Sequence, residues 1–215
     1  MSDAASWRSR AMLMTDPESY REDAMEFRLT YEGPLLGASR SSTRSEHKHA
    51  IRTYFHWQLK RLWDTHPILR HKYNDGPDIK HELRRDELKQ RFCMGDNKFV
   101  PLITDDLCLT CHLDILFLRP DPPGNLLSSG DIDNRLKTLF DALRLPKVGE
   151  FSGDLADDLN PLYCLLEDDG IISQISVETD MMLQSVNGNY DRNAARLIIS
   201  VTAKPYIMTW NNADF

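Results

Sequence analysis

The amino-acid sequence predicts an α+β protein in which a small mixed β-sheet is packed by helices, with a helical extension near the N-terminus. Apolar and polar residues alternate over residues 107–117, which is the period of a half-buried strand. From Asp133 onward, apolar residues recur at the i, i+3, i+4, i+7 spacing of one helix face. A chain of 215 residues with 41% apolar and 27% charged residues is typical of a soluble globular protein with one well-cored domain.

The first half of the chain predicts one strand and two helices. Residues 1–25 are expected to form an N-terminal tail, and residues 26–215 a single domain. The predicted elements are, in order, a strand over residues 27–31 that ends at Gly33-Pro34, a helix over 46–63, a break at 74–77 and a charged helix over 79–92.

The second half predicts three strands and one helix. After the strand over residues 107–117, the segment 119–130 is rich in Pro, Gly and Ser and is expected to be a loop. The remaining predictions are a helix that begins near Asp133, an irregular acidic segment over 145–161, strands over 171–177 and 196–203, and a hairpin turn at Asn187-Gly188-Asn189 between these strands.

The sequence gives no sign of export or of a membrane. The N-terminus lacks an apolar core of signal-peptide length, and the most apolar stretch, residues 113–118, is too short to cross a bilayer. We therefore expect a cytoplasmic protein whose four cysteines are free thiols. Residues 108–112 match the Cys-x-x-Cys-His pattern of haem attachment, but residues three apart on a strand point to opposite faces, which argues against haem.

Basic residues are concentrated in residues 40–91. This region holds 13 Lys or Arg against seven Asp or Glu, although the whole chain has a net charge of −7. The imbalance predicts a basic helical region that meets phosphate groups, and solvated helix faces explain the charge equally well. The candidate nucleic-acid-binding residues are Arg40, Arg44, Lys48 and Arg52.

Two acidic groups carry the candidate chemistry. Asp131 and Asp133 stand where a glycine turn enters the predicted helix, with Lys137 one turn beyond Asp133. A second group, Glu167-Asp168-Asp169, precedes a strand-like run. Carboxylates gathered at one place repel each other unless a cation holds them, and Mg²⁺ takes oxygen ligands of this type. The pattern therefore predicts a metal-dependent phosphodiesterase in which Lys137 stabilises negative charge that develops on phosphorus.

Each acidic group also has a simpler interpretation. Carboxylates at a helix N-terminus cap free N–H groups, which would account for Asp131 and Asp133. The group at residues 167–170 would then be an acidic surface turn. The conjunction of both groups with Lys137 favours the metal site.

These residues resemble the RusA family of Holliday-junction resolvases. The resemblance rests on Asp131-Ile132-Asp133-Asn134 with Lys137, on Phe140-Asp141-Ala142-Leu143, and on Asp168-Asp169 before a strand. The strand that ends at residues 117–121 and the closing run at 195–201 are also similar, so that the resemblance covers roughly residues 107–203.

The resemblance implies a homodimeric endonuclease that depends on Mg²⁺ or Mn²⁺ and cleaves branched DNA. It implies Asp131, Asp133 and Asp169 as metal-binding carboxylates and Lys137 as the catalytic lysine, with Asn134 and Asp168 in supporting roles. Two-fold symmetry suits a four-way junction, because paired nicks need two active sites related by a dyad.

The chain also departs from the family pattern, and this keeps other functions open. It adds the basic region and an acidic insertion over residues 148–161, in which Asp154, Asp157 and Asp158 would repel DNA unless they face away from it. A non-catalytic module that binds DNA or protein on the same scaffold is the alternative. A hydrolase of nucleotides is a weaker one, because the sequence has no Gly-rich phosphate loop.

Overall fold

A computed structural model describes residues 24–37, 42–70, 81–120, 132–150, 153–184, 191–209 and 212. Its helices and strands are, in chain order, β1 (Met25–Pro34), α1 (Ser42–Thr65), α2 (Pro67–Arg70), α3 (His81–Arg91), β2 (Cys93–Met94), β3 (Asn97–Ile103), β4 (Leu109–Arg119), α4 (Ile132–Leu143), β5 (Leu162–Leu166), β6 (Ile172–Met181) and β7 (Ala194–Pro205). Short 3-10 turns stand at Asp105–Leu107, Asp157–Leu159 and Asp169–Ile171. The α+β class is confirmed.

The described strands form two mixed sheets rather than the single sheet expected. The larger has the order β1-β7-β4-β6, with β4 parallel to β6 and antiparallel to β7. The smaller has the order β2-β3-β5, with β3 and β5 parallel. Parallel pairing of β4 with β6 requires a crossover connection, and α4 and β5 both lie within it.

The predicted hairpin between the last two strands is wrong. Residues 187–189 lie outside the described residues, but the strands that flank them, β6 and β7, do not pair with each other. Both pair with β4, which lies between them. An Asn-Gly turn signal is local, whereas the order of strands is decided by which apolar faces must be buried together.

Alternation along β4 and β7 places one face of the larger sheet in the core. The residues of β4 at alternate positions from Leu109 to Phe117 are almost completely buried, and so are those of β7 from Ala195 to Ala203. Helix α1 contributes Ile51, Phe55, Leu59 and Trp63 to the same core, and α4 contributes Leu139, Ala142 and Leu143. Helix α1 is therefore part of the domain core.

The edge strand β1 is held by a side chain of α1. The amide oxygen of Gln58 accepts a hydrogen bond from the backbone N–H of Thr30 at 2.9 Å, and its amide nitrogen donates to the backbone oxygen of Thr30 at 2.7 Å. The Gln58 amide thus pairs with Thr30 as a neighbouring strand would, and satisfies two backbone groups on an exposed edge.

The acidic segment over residues 148–161 is anchored in two places. The backbone N–H of Leu155 donates to the Asn97 side chain at 2.7 Å, and Leu155 is buried beside Phe99. Glu150 forms ion pairs with Lys48 and Arg144. Asp154, Asp157 and Asp158 are exposed.

All four cysteines lie within the described residues, and all are free thiols, as expected. Cys111 and Cys164 are buried, which raises the pKa of each thiol to about 12. In the part of the chain that the structure covers, no helix has both the length and the apolar character needed to span a bilayer.

Candidate functional site

The N-terminal end of α4 carries the first part of the predicted site. Leu136, Leu139 and Leu143 turn one face of the helix toward the core, so that the opposite face meets solvent. Asp133 and Lys137 are both exposed on that face, four residues and about one helical turn apart. Asp133 stands in the first turn, where the helix dipole stabilises a carboxylate. Asp131 lies outside the described residues.

Asp168 and Asp169 form the second part, in a short turn after β5. The Asp168 carboxylate accepts a hydrogen bond from the backbone N–H of Gly170 at 2.9 Å. This bond, with the nearby Lys147 and Arg144, holds the pKa of Asp168 below its usual value. A Cβ atom at residue 170 would stand 3.2 Å from the Asp168 carboxylate, so glycine leaves room for the cap. Asp168 therefore caps this turn, which the simpler interpretation described as an acidic surface turn, and Asp169 opens it.

Arg144, directly after α4, links the two parts. Its side chain is only 3% exposed and donates to Asp141 at 2.7 Å and to Glu150 at 3.0 and 3.1 Å. Its Nε lies 3.5 Å from the carboxylate of Asp169, an ion-pair contact rather than a well-formed hydrogen bond. Lys147 approaches the same carboxylate at 3.8 Å. Asp169 is thus held against the C-terminal end of α4 by two cations.

Lys48 and Arg52 of α1 complete this charge network, which we define as Lys48, Arg52, Asp141, Arg144 and Glu150. The ammonium of Lys48 lies 3.2 Å from Asp141 and 3.0 Å from Glu150. The guanidinium of Arg52 donates to the backbone oxygens of Arg144 at 3.1 Å and Asp141 at 2.6 Å. Helix α1 is therefore bound to the end of α4 through charged as well as apolar contacts.

The pKa values of the charge network follow from these contacts. Burial alone would raise the pKa of Glu150, but hydrogen bonds from Arg144, from the backbone N–H of Lys147 and from Lys48 outweigh it and lower the pKa to about 2. Burial lowers the pKa of Arg52. Burial also acts to lower the pKa of Arg144, but its bonds to Glu150 and Asp141 prevail and raise it. The Glu150 carboxylate is thus stabilised in its charged form.

The network corrects part of the predicted DNA surface. Arg52 is 1% exposed and donates to backbone oxygens, so its guanidinium is not available to phosphate. The Lys48 side chain is 15% exposed, and its ammonium is paired with the carboxylates of Asp141 and Glu150. Arg44 is partly exposed. Arg40 lies outside the described residues.

The predicted metal ligands do not form a complete cluster within the described residues. No group of three or more His, Cys, Asp or Glu side chains suited to a metal is found there. Asp133 lies in the first turn of α4, whereas Asp169 contacts Arg144, directly after the last turn. At a rise of 1.5 Å per residue, the Cα atoms of Asp133 and Arg144 are about 16 Å apart along the helix axis. The carboxylates of Asp133 and Asp169 are nevertheless oxygen donors of the type that Mg²⁺ takes. Asn134 is exposed beside Asp133.

An open cleft of about 530 Å³ lies beside the Asp168 turn. Its walls include Thr110 from β4, Glu167 and Asp168 after β5, Ser173 from β6, and Tyr206. Neither Asp133 nor Lys137 contributes to this lining. The cleft therefore adjoins the second part of the predicted site and not the first.

The charge network is the feature that the sequence did not predict. Its one local signal is the i, i+3 spacing of Asp141 and Arg144, which places the two side chains on the same helix face. The other partners come from distant segments of the chain. No protein-family model matches the sequence, and no curated protein matches it.

Proposed function

We propose that the protein is a cytoplasmic, structure-selective endonuclease that uses Mg²⁺ or Mn²⁺ to cleave Holliday junctions or related branched DNA, on a scaffold like that of the RusA family. The residues assigned to the reaction are Asp131, Asp133, Lys137 and Asp169.

One observation carries the proposal. The 3-10 turn Asp169–Ile171 packs against α4, the helix that presents Asp133 and Lys137. The two segments of the motif are separate in sequence, and a chance pair of acidic segments has no need to meet in the fold. This contact lies at the end of α4 away from Asp133, so it supports a site to which both segments contribute but does not by itself bring Asp169 to Asp133.

The exposed side chains suit phosphodiester hydrolysis. A divalent metal held by Asp131 and Asp133 would polarise a phosphate oxygen and lower the pKa of an attacking water. Asp169, the third proposed ligand, is paired with Arg144 beyond the other end of α4, so the proposal requires this carboxylate to leave that ion pair and reach the metal. Lys137 would place a positive charge near the phosphorus, where negative charge develops. Asp133 and Lys137 project from the same exposed face of α4, so both can reach a bulky DNA substrate from solvent.

A homodimer is part of the proposal. Resolution of a four-way junction needs two symmetric nicks, and a two-fold axis supplies two related active sites. The dimer would also place two basic surfaces on the junction arms, where partly exposed cations such as Arg44 can meet phosphates.

The direct test is nicking of a synthetic four-way junction by the purified protein. We expect cleavage in millimolar Mg²⁺, none in EDTA, and much slower cleavage of a linear duplex that carries the same sequence. Absence of cleavage of every branched substrate in both Mg²⁺ and Mn²⁺ would overturn the proposal.

A non-catalytic module that binds DNA or protein is the second candidate, and a specific contact favours it. The Asp169 carboxylate is already paired with Arg144 and Lys147, which satisfies its charge without a metal. A ligand that binds only the folded state raises the melting temperature. If the metal site exists, Mg²⁺ should raise the melting temperature of the wild type and not that of Asp133→Asn. If Mg²⁺ changes the melting temperature of neither protein, the second candidate is favoured.

A further inference from the structure

The exposed face of α1 carries an aromatic pair that the core does not use. Tyr54 and Trp57 are 41% and 47% exposed and lie one helical turn apart, whereas Phe55 and Trp63 on another face of the helix are buried. Arg61 stands one further turn along the same line and is exposed. We call Tyr54, Trp57, Lys60 and Arg61 the aromatic ridge.

Buried neighbours hold both aromatic rings in place. The Tyr54 ring packs edge-on against Tyr31 at a centroid distance of 5.1 Å, and the Tyr31 hydroxyl is fixed by a 2.6 Å hydrogen bond to the backbone oxygen of Pro34. The Trp57 ring lies edge-on to the buried ring of His56 at 4.7 Å, and His56 Nδ1 accepts the backbone N–H of Tyr163. The rings are therefore exposed and also ordered by their contacts.

Positive charge accompanies the rings. The ammonium of Lys60 lies 5.3 Å from the centroid of the Trp57 ring. Asp64, one turn beyond Lys60, accepts a hydrogen bond from Arg85 at 2.9 Å, so a cation of another helix neutralises its charge. The ridge thus combines two aromatic rings with the positive charges of Lys60 and Arg61, and the nearby Asp64 is paired with Arg85 rather than with either of them.

We propose that the aromatic ridge binds a segment of unpaired, single-stranded DNA. Bases stack on Trp57 and Tyr54, and the adjoining phosphates contact Lys60 and Arg61, which is the combination by which proteins hold single strands without sequence preference. This inference rests on the proposed nuclease function and adds to it: the preferred substrate would expose unpaired bases beside the branch point.

The test measures binding, without cleavage, in EDTA. A labelled oligothymidylate of about 15 nucleotides is compared with an abasic strand of the same length, which keeps the phosphates and removes the bases. We expect tighter binding of oligothymidylate by the wild type. Trp57→Ala should weaken that binding about 5- to 100-fold and leave abasic binding unchanged. Leu183→Ala, which removes an exposed apolar side chain after β6, serves as the control and should bind as the wild type does.

Two results would overturn the inference. One is equal binding of both strands with no effect of Trp57→Ala. The other is a concentration-dependent dimer in size-exclusion chromatography that Trp57→Ala dissociates, since the ridge would then be a contact between copies of the chain. Unchanged thermal unfolding of Trp57→Ala would show that the variant folds. Failure of the nuclease proposal is separate, because the binding assay is run in EDTA and gives its result whether or not the wild type cleaves DNA.

Discussion

The two ends of α4 use similar residues in opposite ways. At the N-terminal end, Asp133 and Lys137 are exposed to solvent. At the C-terminal end, Asp141 and Arg144 are drawn into a network with Lys48, Arg52 and Glu150. An acidic and a basic residue at helical spacing occur at both ends, but among the described residues only the pair at the C-terminal end has partners from other elements.

Under the proposed function, the C-terminal end of α4 has a structural role and the N-terminal end carries the chemistry. Removal of charges from water is costly, so the C-terminal network is stable only because its groups are paired and hydrogen-bonded together. Exposed charges stabilise a fold little, and the cluster at the N-terminal end therefore has no structural explanation of similar weight. The predictions below test this division, from the largest effect to the smallest.

Removal of the central cation should have the largest effect on stability. Arg144→Met leaves the partly buried Asp141 and Glu150 without their guanidinium partner, and we expect the free energy of unfolding to fall by about 3–5 kcal/mol. Urea denaturation measures the change. Lys147→Met, at a well-exposed site, is the control and should change the same quantity by about 0.5 kcal/mol or less. An unaltered stability of Arg144→Met would show that the network is not structural.

Loss of the exposed lysine should affect catalysis instead. Lys137→Met removes the positive charge that the proposed mechanism places near the phosphorus in the transition state, and we expect junction nicking to slow by about 100- to 1000-fold. Met and Lys have similar helix propensities, so the free energy of unfolding should not change. Lys98→Met, at an exposed site on β3, should nick at the wild-type rate. Similar rates for the two variants would remove Lys137 from the mechanism.

Glu150 should make stability depend on pH in the acidic range. Its pKa is about 2 in the folded protein against an ordinary value of 4.5, so the carboxylate stabilises the fold above pH 4.5 and loses this contribution as the pH falls through 2. We expect Glu150→Gln to cost about 3 kcal/mol at neutral pH, with a difference from the wild type that shrinks between pH 4.5 and 2. Unfolding measured across this range tests the prediction, and a difference independent of pH would contradict it.

The smallest effect distinguishes two arginines of α1. Arg44→Gln should reduce the slope of log K against log salt for duplex binding by about 0.9, as expected for one lost phosphate contact. Arg52→Gln should leave that slope unchanged and lower stability, because the Arg52 side chain is buried against backbone oxygens. A change of slope with Arg52→Gln at unaltered stability would contradict the structure.

The sequence predicted the elements that have a clear periodicity. The strands around residues 27–31, 107–117, 171–177 and 196–203 and the helices around 46–63, 79–92 and 133 are all present, with bounds that differ by a few residues. Strand β4 begins at Leu109 rather than at the predicted residue 107, because the backbone of Cys108 adopts a left-handed conformation with a φ of 51°.

The smaller sheet was not predicted, for local reasons. Strand β5 is a continuous apolar run without alternation, because every residue from Leu162 to Leu166 is buried. Strand β3 contains Pro101, and a proline argues against a central strand. Proline is tolerated because β2 pairs only with Asn97 and Lys98, so that β3 has a free side at Pro101.

The site was predictable only in part. Asp133, Lys137 and Asp169 could be nominated as candidates because the grouping and spacing of charged residues are visible in the sequence. The burial of Arg52 and the pairing of Lys48 could not, because their partners Asp141, Arg144 and Glu150 are brought to α1 only by the folded chain. A surface arginine and a buried one have the same signature in sequence.

The most direct test compares two aspartates of the same helix. We predict that Asp133→Asn slows Mg²⁺-dependent nicking of a four-way junction more than about 100-fold and leaves the free energy of unfolding unchanged. A loss of this size exceeds the roughly 10- to 100-fold loss that is typical when a residue that only hydrogen-bonds to a metal ligand is altered. Asp141→Asn should instead lower the free energy of unfolding and keep the wild-type nicking rate under conditions where it is folded. Wild-type nicking by Asp133→Asn, or equal loss of nicking in both variants, would contradict the division between the two ends of α4.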